Sequence, residues 1–123
     1  MLPVANNSAI NNVSITLLLS TSNGVYVIDT TTIIRIQSVS NYSKLFFSNG
    51  KTLVVAKVLK WFEGALPGAQ FIRVHRTHIV NKLFIHRYIK TDGYKVRLIN
   101  GELVEVSRRK KTLVIQSLYS MAA

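Results

Sequence analysis

Apolar runs punctuated by tight-turn dipeptides set the pattern of this chain. Asn23-Gly24, Asn49-Gly50, Asp92-Gly93 and Asn100-Gly101 each fall between stretches rich in Val, Ile, Leu, Tyr and Phe. Asn and Asp tolerate positive φ and Gly favours it, which tight hairpin loops require. Four such signals in 123 residues predict a mainly β fold of elongated antiparallel sheets and hairpins. The last hairpin also constrains its own register. A two-residue turn would set Val96 against Glu105 and Arg97 against Val104, mixing polar and apolar side chains on both faces. A three-residue loop ending in a bulged Gly101 pairs Leu98 with Glu102, Val96 with Val104 and Tyr94 with Val106, and sets Lys95 opposite Glu105. Only the bulged register leaves one apolar and one charged face, so it is the one expected.

Helical spacing interrupts the strands twice. In "LVVAKVLKWFEGALPG", Val55, Val58, Leu59, Phe62 and Leu66 follow i, i+3, i+4, i+7 and i+11. This stripe predicts an amphipathic helix over about 53–66, ended by Pro67-Gly68. Ser107 is a suitable N-cap for a C-terminal helix over about 108–119. No internal repeat, low-complexity tract or interdomain linker divides the chain, so a single domain is expected. Residues 1–26 read as a polar leader, loose over 1–12, followed by a first strand.

Composition narrows the function. An apolar content of 48% with 17% charged residues excludes a disordered chain. Sixteen Lys and Arg stand against five Asp and Glu, a formal net charge of +11. A compact domain that carries such self-repulsion points to an anionic partner. Nucleic acid leads, ahead of an anionic membrane surface or an acidic polysaccharide. The charge sits late in the chain: residues 1–34 hold only Asp29, whereas residues 71–111 hold eleven basic residues against three acids. The absence of cysteine excludes disulfides, thiol nucleophiles and Cys-type zinc sites. The opening "MLPVANNSAINNVSITLLLS" has no basic n-region and its apolar core is far too short for a signal sequence or a membrane span. A cytoplasmic protein is expected.

Three stretches could carry chemistry. In Ser107-Arg108-Arg109-Lys110-Lys111, four cations fall in the first turn of a predicted helix, where the macrodipole favours carboxylates. Exposed backbone N–H groups and cationic side chains at that terminus would form a phosphate site. In "FIRVHRTHIVN" (71–81), His75 and His78 are three apart, the spacing of two metal ligands on a helix. A metal needs three or four ligands, His86 is the only other histidine, and no carboxylate lies between residues 64 and 91. No metal and no cofactor are expected. The five acids form no pair suited to acid–base work, and the glycines are isolated turn residues, so no enzyme is expected. The third stretch, "SVSNYSKLFF", reads as a polar loop over 40–44 whose Asn, Tyr, Ser and Lys suit base-edge and phosphate contacts, although an ordinary turn reads the same way.

Taken together, "FIRVHRTHIVN" and "VEVSRRKK" (104–111) resemble the LytTR DNA-binding domain of bacterial transcription regulators. That family's pattern is close to F-x-R-x-H-R-S-x-x-V-N, then a strand pair, then V-S-R-R or a near variant. "IIRIQSVSNYSKLFF", the amphipathic helix and "LPGAQ" fall in the family's order, and the resemblance covers about residues 27–119. It implies sequence-specific binding of double-stranded DNA through loops that reach successive grooves. Direct-repeat promoter sites, dimers formed on DNA and an upstream receiver or sensor partner come with it. Matched by position, the first DNA-facing region is Asn41, Tyr42, Ser43 and Lys44. The second is Arg76 with Thr77, and the third is Ser107 and Arg108 with Arg109 and Lys111. Arg76 and Arg108 suit guanine readout, and Lys44, Thr77, Ser107, Arg109 and Lys111 suit phosphates. Thr77 stands for the family's usual Ser and keeps the hydroxyl. His75 reads as a buried hydrogen-bonding group, while His78 replaces a usual Tyr or Phe and has no evident role. The alternative is a β-rich anion-binding module for RNA or acidic polysaccharide. RNA readers usually display stacking aromatics on a sheet face, and here the aromatics mostly fall in apolar stripes.

Overall fold

The chain is described from a computed structural model over residues 15–122. The polar leader expected over residues 1–12 lies outside them. Among the described residues, ten strands form three antiparallel sheets. The first is the hairpin β1 (Thr16–Thr21) and β2 (Gly24–Asp29). The central sheet has the order β5-β4-β3-β7-β6, from β3 (Ile33–Val39), β4 (Tyr42–Phe47), β5 (Thr52–Val55), β6 (Phe71–His75) and β7 (His78–Asn81). The third contains β8 (Ile85–Ile89), β9 (Tyr94–Leu98) and β10 (Leu103–Val106). Helices α1 (Leu59–Ala65) and α2 (Lys111–Met121) complete the fold.

The central sheet buries side chains on both faces, which explains the adjacent apolar pairs Ile33-Ile34, Phe71-Ile72 and Ile79-Val80 in β3, β6 and β7. On one face Ile33, Ile36, Leu45, Phe71 and Ile79 pack with Leu17, Leu19 and Ile28 of the first hairpin and with Leu59, Phe62 and Leu66 around α1. On the other, Ile34, Ile72, Val74 and Val80 pack with Val96, Leu98, Val104, Val106 and Val114 from the third sheet and α2. Asn81 joins neighbouring elements where apolar side chains cannot. Fully buried, it donates from Nδ2 to the Ile33 carbonyl at 2.8 Å and accepts the Leu83 N–H at 2.9 Å.

All four turn dipeptides fall at hairpins, and the last adopts the bulged register. Val96 pairs with Val104, Lys95 with Glu105 and Tyr94 with Val106. The Leu98 N–H reaches the Glu102 carbonyl at 2.8 Å, and Gly101 takes φ of 93°, which no Cβ-bearing residue adopts readily.

Three local expectations are corrected. The helix expected from residue 53 starts at Leu59, because Leu53 and Val55 pair with Leu45 and Ser43 of β4. The stripe read as one helix joins a strand residue, Val55, to the helical Leu59 and Phe62, and all three enter one core. The expected loop over 40–44 shrinks to a turn at Ser40-Asn41, with Ser40 at φ of 56° and Tyr42–Lys44 already in β4. The C-terminal helix begins as a 3-10 turn over Arg108–Lys110 and becomes α-helical only at Lys111. Ser107 holds the N-cap position of that turn but makes no side-chain capping bond.

Candidate nucleic-acid interface

Antiparallel pairing brings distant segments to one end of the central sheet. β3 leaves at Val39 where β7 enters at His78, and the Ser38 N–H donates to the Thr77 carbonyl at 2.9 Å. The β3–β4 turn thus lies beside the β6–β7 turn, Arg76-Thr77. On the outer side of β6, the Ser107 N–H donates to the Val74 carbonyl at 2.9 Å and carries the entry to α2 to the same place. The β5–α1 connection arrives from the other side, where the Lys57 carbonyl accepts the Ser43 hydroxyl. All three regions expected to face DNA therefore belong to one end of one sheet.

Within that end the residues divide. Arg76, Ser107 and Arg109 line a single open cleft of about 330 Å³ with Lys60, Arg73, His75, Lys110 and one acid, Glu63, which is paired with Arg73. Arg108 and Lys111 line a different one of about 440 Å³, against Tyr94, Lys95 and Glu105 of the third sheet. A turn of 3-10 geometry advances three residues per turn, which sends Arg108 and Lys111 one way and Arg109 and Lys110 the other. Lys111 Nζ lies 3.4 Å from the Tyr94 hydroxyl and 5.0 Å from its ring centre. Asn41 and Tyr42 are exposed and Lys44 is half-buried. Ser43 is fully buried on the opposite face, its hydroxyl engaged by Lys57, so the surface expected of it is absent.

The Arg76 turn is braced from two sides. Arg73 Nη2 donates to the Arg76 carbonyl at 2.6 Å and Nε to the His75 carbonyl at 3.3 Å, while Nη1 holds Glu63 of α1. On the other side, His75 Nδ1 lies 2.7 Å from the Thr77 hydroxyl, which lies 3.0 Å from His78 Nδ1. His78 Nε2 faces Arg35 Nη1 at 3.4 Å. Arg35 in turn binds both oxygens of Glu102 at 3.0 Å, donates to Gln37 and stacks over Phe46 at 3.6 Å from the ring centre. Those hydrogen bonds from Arg35 hold the Glu102 carboxyl below its ordinary range, against the effect of burial.

Burial lowers the His78 pKa from 6.5 to about 4, assisted by Arg35 and His75 nearby and opposed by Glu102 and Glu105. The unfolded chain binds this proton more readily than the folded one. Stability from neutral His78 is therefore complete above about pH 6.5 and falls as pH drops toward 4. Urea unfolding at pH 7 and pH 5 checks this. The native chain is expected to lose more stability than His78→Phe, and parallel losses would contradict a buried neutral imidazole.

Lys57 and Lys60 lie outside the motifs singled out in the sequence. Lys60 belongs to the Arg76 cleft, and Lys57 Nζ sits 4.6 Å from the Trp61 ring centre beside the β3–β4 end. The cue available was two cations bracketing the start of a helix. Arg35 gave only the faint cue of a cation between Ile34 and Ile36. Among the described residues, no three His, Cys, Asp or Glu side chains gather as a metal site, and no helix is long and apolar enough to cross a membrane.

A family model, the LytTr DNA-binding domain, matches residues 23–118. Among solved structures, the LytTr DNA-binding domain of a methyl-accepting/DNA response regulator from Bacillus cereus has a similar fold. It superposes with a TM-score of 0.71 over 84% of this chain and 95% of that one, at 24% identity. None of the curated proteins matches.

Proposed function

Because this chain belongs to the LytTr DNA-binding domain family, we propose that it reads specific double-stranded DNA sequences as the output domain of a bacterial transcription regulator. The observation that carries this reading is the convergence of Arg76, Ser107, Arg109 and Lys60 from separate chain segments on one cleft. Three turns at one end of a rigid sheet can address a duplex from one side. Arg76, exposed at the head of a doubly braced turn, suits bidentate reading of guanine O6 and N7. Arg108 takes the same role on the far side of the 3-10 turn. Lys44, Lys57, Lys60, Arg109, Lys110 and Lys111 are assigned to phosphates, with Ser107 as a neutral donor. Asn41 and Tyr42 lie at the third point of approach. Ser43 drops out, being buried. Paired direct repeats bound by two copies, and a receiver or sensor partner upstream, complete the reading.

Selection of preferred duplexes from a random library, followed by titration of the selected duplex, a scrambled one and single strands, tests it. The selected duplex should bind tightest, and Arg76→Ala should lose about 1–3 kcal/mol mainly on that duplex. Equal affinity for all three nucleic acids would refute sequence-specific reading and favour a general polyanion binder.

A further inference from the structure

Hydrogen-bond direction along the chain from Glu102 to His75 can be worked out from the groups themselves. Arginine only donates, so Arg35 Nη1, 3.4 Å away, makes His78 Nε2 the acceptor. A neutral His78 then carries its proton on Nδ1 and donates it to Thr77 Oγ1 at 3.0 Å. The Thr77 backbone N–H donates to His75 Nδ1 at 3.2 Å, so that nitrogen also is an acceptor. It takes the Thr77 O–H as well, at 2.7 Å. One tautomer remains for neutral His75, with the proton on Nε2, and its ring lines the cleft shared by Lys60, Arg76, Ser107 and Arg109.

We infer that Arg35 and His78 are positioning residues for DNA recognition, aiming the Thr77 hydroxyl at His75 and so holding the setting of the Arg76 turn. The inference rests on the DNA-reading role proposed above. Neither residue belongs to the cleft. Arg35 reaches the turn from the middle of β3, and Glu102, 67 residues further along the chain, holds it from the β9–β10 loop. Arg35 thereby joins the third sheet to the DNA-facing turn. The relay also reassigns Thr77: its hydroxyl is occupied within the protein by two imidazoles, which suits a strap more than a phosphate donor.

Ring-nitrogen NMR on the full chain tests the relay without DNA. Near pH 7.5, His78 should show the Nδ1–H tautomer and His75 the Nε2–H tautomer, and His78→Phe should shift the His75 Nδ1 resonance as the Thr77 hydroxyl loses its fixed direction, while the Thr77 backbone N–H keeps the tautomer. The opposite tautomer at either histidine, or a His75 signal unchanged in His78→Phe, would overturn the inference. The functional arm compares the selected duplex with a scrambled one. Because His78 is neutral, His78→Phe should lower the preference for the selected duplex about tenfold, the scale of coupling within one hydrogen-bond network, and leave the salt slope unchanged. An unchanged preference, or a loss equal on both duplexes, would overturn the positioning role. Should the native chain prefer no duplex at all, the DNA-reading role fails and the positioning role falls with it, whereas the tautomer result still judges the relay by itself.

Discussion

Raising the salt concentration from 50 to 200 mM is expected to weaken duplex binding roughly 10³-fold. The size follows from neutralising about six phosphates, each with a counterion to release, at a slope near −0.9 per phosphate. Six cations stand ready for that role once Arg76 and Arg108 are reserved for bases: Lys44, Lys57, Lys60, Arg109, Lys110 and Lys111. They surround the end of a sheet in place of forming one linear run, so a duplex must span several turns to meet them all. Fluorescence anisotropy titrations at four or five salt concentrations measure the slope. A change of about tenfold or less across that range would mean that most of these cations meet no phosphate. Lys60→Ala should reduce the slope by about one while leaving the sequence preference in place, the mark of a backbone contact.

Phe62→Ala should cost about 3–5 kcal/mol of folding stability. The ring is fully buried at the centre of the core that joins α1, the first hairpin and the central sheet, and it packs edge-on against Trp61 at 5.0 Å. With only seven residues in α1, the helix has little hold on the sheet beyond Leu59, Phe62 and Leu66. Removing the middle anchor also loosens Glu63, which fixes Arg73 and through it the Arg76 turn. Urea unfolding monitored by Trp61 fluorescence gives the stability change. A cost below about 1 kcal/mol would show that the neighbouring side chains close the gap, and that the helix is held by something other than this ring.

Legibility from sequence followed the range of the interaction. The β9–β10 register was readable because strand period, bulge and Gly101 all lie within thirteen residues and agree. The motif residues Arg76, Ser107 and Arg109 were readable from the family pattern, and the cleft does gather them. The start of α1 was not, because Val55 in a strand and Leu59 in a helix satisfy one helical spacing while lying in different elements. Ser43 misled because alternation alone does not say which face of β4 is covered, and the answer depends on the Lys57 carbonyl fourteen residues away. Separation of Arg108 from Arg109 hinges on a 3-10 turn that differs from an α-helical turn by less than one residue. The contact of His78 with Arg35 crosses from β7 to β3, and no local pattern ties the two.

The bond from the Ser107 N–H to the Val74 carbonyl has a consequence for solubility. β6 is an outermost strand of the central sheet, and an open strand edge is a template for pairing with another molecule. Here the segment entering α2 occupies that edge at Val74, and Arg109 and Lys110 line the cleft beside it. A second chain approaching to extend the sheet would meet its own excess of positive charge. The same positive charge thus disfavours edge-to-edge pairing of two copies at β6.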